Sequence, residues 1–472
     1  MINIKYLLFA LMYATTAWSQ PSTAKLDKLL KDGFYQRATV GVAVYDITEQ
    51  KTVYVHNEKR LCRPASNLKL LTSAAALTAL KSSYSFKTGL YHTGEIDESG
   101  VLTGDIYLVG GFDPELKSAD LDELILKMKK AGIENIDGNL YLDVTMADSI
   151  FWGKAWSWDD DMEAYQPYLS PIPLNRGVVK VKVTPAAPDT VPTIKTEPES
   201  SFIQVVNLAT TVRKSAETAQ NTLRFNREFV NGYNRIVVSG SIAASANAYT
   251  TEISLKNPAG YVMTVFSEKI AEHFPESSIF TAGTKRLPDD AKNIGFSTHS
   301  IADAIKRLNR DSENLNAEML LYAMGYRKDA EPATAEKGIA VVRQFISKTE
   351  LDPKTYRIVD GSGLSNQNCI SPELLVAVLK YMHQSPYFDV FLQSLPVAGV
   401  DGTLANRMKN SAANKKVRAK TGSLTGVSAL SGYATASNGN LLAFSIMVQN
   451  FVEKTSFVAI NYIDKICEAL VE

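Results

Sequence analysis

The run Arg63-Pro-Ala-Ser-Asn-Leu-Lys-Leu-Leu-Thr-Ser-Ala-Ala-Ala-Leu-Thr-Ala-Leu80 constrains the chain more than any other stretch. It holds no breaker after Pro64, and from Leu68 to Leu80 nearly every residue is apolar or small. That composition predicts a helix, and a helix apolar on most of its circumference belongs in a core. Two polar groups stand out in it, the hydroxyl of Ser66 and the amine of Lys69. Three residues apart on a helix, they share a face and can touch. Burial disfavours the charged lysine, and a neutral amine beside a serine hydroxyl is a base beside a nucleophile. The competing reading is a lysine that snorkels from a helix end to water. Ser22-Thr-Ala-Lys25 has the same spacing, so context has to decide.

A chain of 472 residues has material for two or three domains, each with an ample core. Its 50 Lys and Arg balance its 50 Asp and Glu, which gives no support to nucleic-acid binding or a polybasic membrane contact. Residues 1–19 read as a secretory signal: Lys5, an apolar run from Tyr6 to Ala17, then small residues at 17 and 19 that suit cleavage after Ser19. The alternative is an uncleaved anchor, although the apolar run is short for a span. No later segment is long and apolar enough to cross a bilayer. The expected mature protein is exported and soluble, and periplasmic if the source is Gram-negative. Cysteines at 62, 369 and 467 make an odd set without a Cys-x-x-Cys pair, so neither a disulfide scaffold nor a metal site is expected. No cofactor is implied. The five histidines are scattered, and nothing local supports a Ser-His-Asp triad.

The chain opens as helix (22–33), hairpin and helix. Gly41–Ile47 alternates like a strand, and Thr52–His56 returns after a turn. From Phe86 to about 295 short β-like runs dominate, with a helix expected over 121–131 and an aromatic, acidic cluster at 152–168. Helices return from Met263. Ser300 and Ser371 are N-caps, the latter with Pro372 at the first helical position. The end is three strands, the last two joined by Asn438-Gly439, then a helix over 456–470. Both ends share one character and the middle differs. The fold class is therefore α+β: an antiparallel sheet flanked by helices, formed by residues 20–88 and 296–472, interrupted by a large β-rich insertion. Within it, 89–177 with 250–295 and 178–249 form two units.

Three short patterns occur in order: Ser66-x-x-Lys69 on the buried helix, Ser312-Glu-Asn314 after a helix, and Lys420-Thr-Gly422 on a strand that leads into a hairpin. Each has a decoy, at Ser22, at Ser245-Ala-Asn247 and at Lys87-Thr-Gly89. The ordered set in matching contexts is what carries information. With Gly110-Gly-Phe-Asp-Pro114, Asp360-Gly-Ser-Gly-Leu-Ser365, Leu395–Leu404 and Lys420–Gly426, the chain resembles the serine penicillin-binding proteins. Among these it is similar to the low-molecular-mass class C D-alanyl-D-alanine carboxypeptidase/endopeptidases, peptidase family S13, over nearly the whole mature chain. The 246 positions from Ser66 to Ser312 leave room for the long insertion that marks this class.

The resemblance implies a serine DD-peptidase/β-lactamase-like catalytic domain that acts on peptidoglycan stem peptides and is acylated by β-lactams. Ser66 would form an acyl-enzyme and neutral Lys69 would take its proton, its pKa lowered by burial and by Lys420. Ser312 would relay a proton to the leaving amine, and Asn314 would bond Lys69 and the substrate amide. Lys420 would face the substrate carboxylate, with Thr421 and Ser423. Gly422 would let the backbone approach the ligand, and Leu424 and Thr425 would border the substrate. The oxyanion hole would be the N–H groups of Ser66 and Ser423. Asp160 and Tyr165 have the spacing of the pair that holds the amino end of a diaminopimelate side chain, with Asp161 as an offset alternative. Family members often carry Arg where this chain has Asn366, which cannot make Arg's bidentate charged pair. Glu313 replaces a common Asp. Two other readings are a β-lactamase-like hydrolase, which needs a deacylating Glu not found here, and a non-hydrolytic peptidoglycan-binding or β-lactam-sensing module.

Overall fold

The computed structural model describes residues 23–213, 222–326, 331–452 and 456–472. The expected signal at 1–19 and the decoy serine at 22 lie outside them.

The two ends of the chain meet in one five-stranded sheet. Its order is Val417–Leu424, Val427–Thr435, Leu441–Gln449, Thr39–Asp46, Lys51–His56, and every pairing is antiparallel. The first hairpin is thus zipped onto the last three strands, with Thr39 opposite Gln449. Alternation in these strands sends side chains to two different cores. Ala43, Ala443 and Met447 join the cluster containing the Leu68–Leu80 helix and the Leu315–Met324 segment. Val42, Val44, Leu442, Phe444 and Ile446 join the cluster containing Leu26, Ile463, Ile466 and Leu470 from the terminal helices. Both faces of the inner strands are covered, so Val427–Ala434 and Leu442–Gln449 are buried residue after residue. Tyr433 reaches across the first core and donates its hydroxyl to the carbonyl of Leu379.

From Leu68 to Leu77 every residue of the central helix is buried, as its composition requires. Ser66 is not in that helix. It sits in a 3-10 turn, Ala65–Asn67, that feeds it. The expected 22–33 helix is two short ones, Thr23–Leu30 and Gly33–Arg37, because Asp32 caps the second by accepting from Phe34 N–H. Ser300 and Ser371 are the caps of Ile301–Arg310 and Pro372–His383.

The insertion contributes three more sheets. The largest has seven strands in the order Lys292–Ser300, Ser85–His92, Ile106–Val109, Asn135–Asp143, Val101–Thr103, Glu95–Ile96, with Ser278–Thr284 also on Asn135–Asp143. Its entering and leaving strands are neighbours, Ser85 opposite Ser300 and Thr88 opposite Ser297. Two three-stranded sheets follow: Tyr249–Ser254, Val178–Thr184, Thr193–Glu197, and Ile203–Val212, Tyr233–Ala243, Arg224–Val230. One apolar cluster runs through all of them, from Leu90 to Phe274. The cysteines are unpaired, Cys62 and Cys467 buried. Among the described residues no helix is long and apolar enough to cross a membrane.

Candidate active site

The 3-10 turn and the helix behind it put Ser66 and Lys69 in register. Lys69 Nζ lies 2.9 Å from Ser66 Oγ and 2.7 Å from the carbonyl oxygen of Ser362, and it donates to Asn314 Oδ1. Lys69 is wholly buried while Ser66 is partly exposed, so the amine is dry and the hydroxyl reachable. Burial takes the lysine's pKa down from 10.5 to about 8, against the pull of Asp360, Glu318 and Glu313. Desolvation, more than a neighbouring ammonium, is what depresses it. A neutral amine has two N–H donors and one lone pair. The Asn314 and Ser362 oxygens can only accept, so they take both donors and leave the lone pair for Ser66.

Asn314 is held the right way round by a second contact, its Nδ2 donating at 2.6 Å to the carbonyl of Tyr165. Ser312 has positive φ, 65°, a conformation that costs a serine energy and holds only where neighbours over-determine it. Lys420 is one such neighbour: its Nζ donates to Ser312 Oγ and to the carbonyl of Thr421, both at 2.9 Å. Burial, then the charge of Lys69, push the Lys420 pKa well below the ordinary lysine range. The two lysines therefore compete for protons, and whatever negative charge meets Lys420 decides which one keeps its own.

The Val417–Leu424 strand lies at the sheet edge and crosses directly over the nucleophile turn. Asn67 Nδ2 donates to the carbonyl of Lys420 at 3.1 Å. A Cβ on Gly422 would sit 2.7 Å from both Asn67 Nδ2 and the carbonyl of Pro64. The glycine is required by that protein–protein approach, a tighter reason than room for a ligand. Thr421 Oγ1 bonds Thr403 Oγ1 at 3.0 Å. Ser423 and Thr425 are exposed and Leu424 is half-buried, on the hairpin that continues the strand.

Asp160 and Tyr165 are partners, Tyr165 Oη donating to Asp160 Oδ1 at 2.9 Å. They reach the site through the Tyr165 carbonyl that holds Asn314. Asp161, the offset alternative, is spent elsewhere. It meets Arg227 at 2.6 Å and Lys256 at 2.9 Å, and accepts from Tyr168 at 2.6 Å. Asn366 lies exposed on the turn beyond Ser365. Of the decoys, Lys87 is exposed on a strand of the insertion's seven-stranded sheet and Ser245–Asn247 lies between insertion strands.

Sequence reasoning did not single out the carboxylates behind Lys69. Glu318, wholly buried, accepts from the backbone N–H groups of Gly361 and Ser362 at 2.8–3.1 Å. Asp360 accepts from Gly363 and Ser365 N–H, Asn368 Nδ2 and Trp156 Nε1. Together they shape the loop that offers the Ser362 carbonyl to Lys69. Burial, then the neighbouring Asp360, raise the Glu318 pKa to about 7. The Asp360-Gly-Ser-Gly run was the one available signal, since a glycine-rich turn beside a carboxylate invites an N–H cradle. Gly363 has φ of +82°, and a Cβ there would fall 1.9 Å from the Ala65 carbonyl oxygen.

The structure brings the three motifs together, Lys69 against Ser66 and Asn314 and Lys420 against Ser312. The chain belongs to the D-Ala-D-Ala carboxypeptidase 3 (S13) family, which it matches over residues 22–469. It is 32% identical to a D-alanyl-D-alanine carboxypeptidase of Actinomadura sp. (strain R39), covering 95% of this chain and 86% of that one. It is 26% identical to the D-alanyl-D-alanine carboxypeptidase DacB of Haemophilus influenzae, covering 94% and 91%. In fold it is similar to the crystal structure of penicillin binding protein 4 from H. influenzae, with a TM-score of 0.80, 23% identity, and 94% and 99% of the two chains covered.

Proposed function

We propose that the protein is a serine-type D-Ala-D-Ala carboxypeptidase with endopeptidase activity on peptidoglycan cross-links, working through an acyl-enzyme on Ser66. The observation that carries this is the contact set of Lys69, which leaves its lone pair facing the Ser66 hydroxyl. Ser66 Oγ attacks the carbonyl of the D-Ala-D-Ala bond as its proton passes to Lys69. The substrate's terminal carboxylate, arriving at Lys420, favours charge there. That charge in turn keeps Lys69 neutral, so substrate binding itself selects the reactive protonation state. The tetrahedral oxyanion is received by the N–H groups of Ser66 and Ser423. As the C–N bond breaks, Ser312, oriented by Lys420, passes its hydroxyl proton to the leaving amine and regains one from Lys69, which returns to its neutral form. Water then attacks the acyl-enzyme, and the leaving group alone separates carboxypeptidase from endopeptidase action.

Asp160, oriented by Tyr165, receives the amino end of the stem peptide's diamino acid. Asn366 takes the place of a charged contact to that residue's carboxylate, so an amidated or weakly held carboxylate suits this enzyme. Thr421, Leu424 and Thr425 flank the bound peptide. The protein is exported after loss of residues 1–19. The boundaries expected at 88/89 and 295/296 fall inside the paired strands Ser85–His92 and Lys292–Ser300, so we take the insertion to run from Ser85 to Ser300, with the catalytic unit on either side of it. β-Lactams acylate Ser66 in place of substrate.

Fluorescent penicillin labelling of wild type and Ser66→Ala tests the reading. A stable adduct on wild type alone supports it. Labelling that survives the substitution refutes the acyl-enzyme, and rapid penicillin turnover makes the protein a lactamase. Digestion of cross-linked muropeptides, followed by chromatography for lost dimers and released D-Ala, measures the two activities.

A further inference from the structure

Three groups of the Ser312–Asn316 segment are gripped from the insertion. The Glu313 carboxylate, 9% exposed, lies 2.7 Å from Arg176 Nε. Asn314 Nδ2 donates to the Tyr165 carbonyl at 2.6 Å. Asn316 Nδ2 donates at 2.8 Å to buried Glu115, which also meets Arg307 at 3.2 Å. The residue next to these contacts, Ser312, is the one held at positive φ. Arg176 is itself in the left-handed region, φ 63°, beside Asn175 at 48°. A bend in the insertion is therefore held in an unfavourable conformation and ends in a guanidinium that reaches the second motif. Such conformations persist only where surrounding contacts fix them. The guanidinium is split between Glu313 and Glu252, the latter on the strand that leaves the small sheet.

We propose that Arg176 is a positioning residue for the proposed peptidase reaction: through Glu313 it fixes the Ser312 loop, making the insertion a brace for the catalytic serine's proton relay. This rests on the acyl-enzyme reading above. The ion pair does two things at once. It holds Ser312 toward Lys420, and it offsets part of the pull of the Glu313 carboxylate on Lys69. The charges facing Lys69 are Glu313, Asp360 and Glu318 on the negative side. Lys420, whose depressed pKa reflects the charge of Lys69, stands on the positive side. Removing Arg176 leaves Glu313 uncompensated and favours charged Lys69. Removing the Glu313 charge does the reverse.

The test is the pH profile of penicillin acylation, measured as the second-order rate on full-length Arg176→Met, Glu313→Gln and the double variant, with thermal unfolding alongside. Misplacing a reacting group by about an ångström costs on the order of a hundredfold, so Arg176→Met is expected to slow acylation by about tenfold or more. Its acid limb should move to higher pH, that of Glu313→Gln to lower pH, and that of the double variant back toward wild type. Arg176→Lys, which keeps the charge, should retain the wild-type limb. An unchanged rate and limb in Arg176→Met would overturn the proposal. So would a loss of rate that follows unfolding with no movement of the limb. If Arg176→Met does not fold, limbs for Glu313→Gln and Arg176→Lys that both coincide with wild type overturn it. Wild type that fails to label at Ser66 would sink the acyl-enzyme reading instead, whatever the variants do.

Discussion

Acylation of Ser66 should switch on with the loss of one proton, and the structure says where. Lys69 must be neutral to accept the serine proton. Its burial takes the pKa from 10.5 to about 8. At pH 7 an ordinary lysine is neutral in roughly one molecule in 3,000, and one with a pKa near 8 in about one in ten, a gain of about 300-fold. The sign follows: the rate should rise tenfold per pH unit below about 8 and level off above it. Stopped-flow acylation by a fluorescent penicillin from pH 5.5 to 9.5 measures the profile. Glu318, with its pKa raised to about 7, is the rival source of an acid limb. Glu318→Gln separates the two, because its amide oxygen can still accept from the Gly361 and Ser362 N–H groups while nothing titrates. A limb that persists, moved to lower pH because one carboxylate facing Lys69 has lost its charge, belongs to Lys69. A rate that is flat from pH 6 to 9, or that climbs without levelling to pH 9.5, would refute the reasoning, since the buried amine would then not be the base.

Gly363→Ala should be among the most damaging single-methyl changes, because its Cβ would fall 1.9 Å from the Ala65 carbonyl at positive φ; loss of soluble protein or of penicillin labelling checks it, and normal labelling would contradict it. Glu318→Ala frees the buried N–H groups of Gly361 and Ser362, so stability should fall by about 1–3 kcal/mol per orphaned donor by chemical denaturation. Asn314→Ala removes an acceptor from Lys69 and strands the Tyr165 carbonyl; acylation should drop on the order of a hundredfold, read by single-turnover labelling. Tyr165→Phe removes the hydrogen bond that orients Asp160. It should raise KM for diamino-acid stem peptides while leaving penicillin acylation near wild type, a split visible by comparing the two substrates.

Elements that local chemistry specifies strongly are legible in the residues themselves. The apolar run 68–80 could only be an interior helix, Ser300 and Ser371 announce their helices, and Asn438-Gly439 turns the last hairpin, Gly439 at φ 87°. Less legible are features set by through-space neighbours. The expectation that Ser66 and Lys69 share one regular helix gives way to a 3-10 turn ahead of it, at the point where the strand carrying Gly422 presses against Pro64 and Asn67. Asp160 has the expected spacing to Tyr165 and Asp161 is its offset alternative; the structure pairs Asp161 with Arg227 and Lys256 and Asp160 with Tyr165. Glu313 reads as an idle substitute for Asp until Arg176, far away in the chain, is found against it.

The sequence by itself determined the order of the three motifs, the α+β frame of the two chain ends, and the presence of a nucleophile with a candidate base. Spacing and periodicity are properties of the chain, and they survive in one dimension. Only the tertiary structure decided why the Lys69 amine gives up its charge so readily. Desolvation needs the core that closes over Lys69, and its direction depends on which carboxylates and which ammonium share that core. A pKa is set by distances and burial, and neither is written in any local stretch of residues.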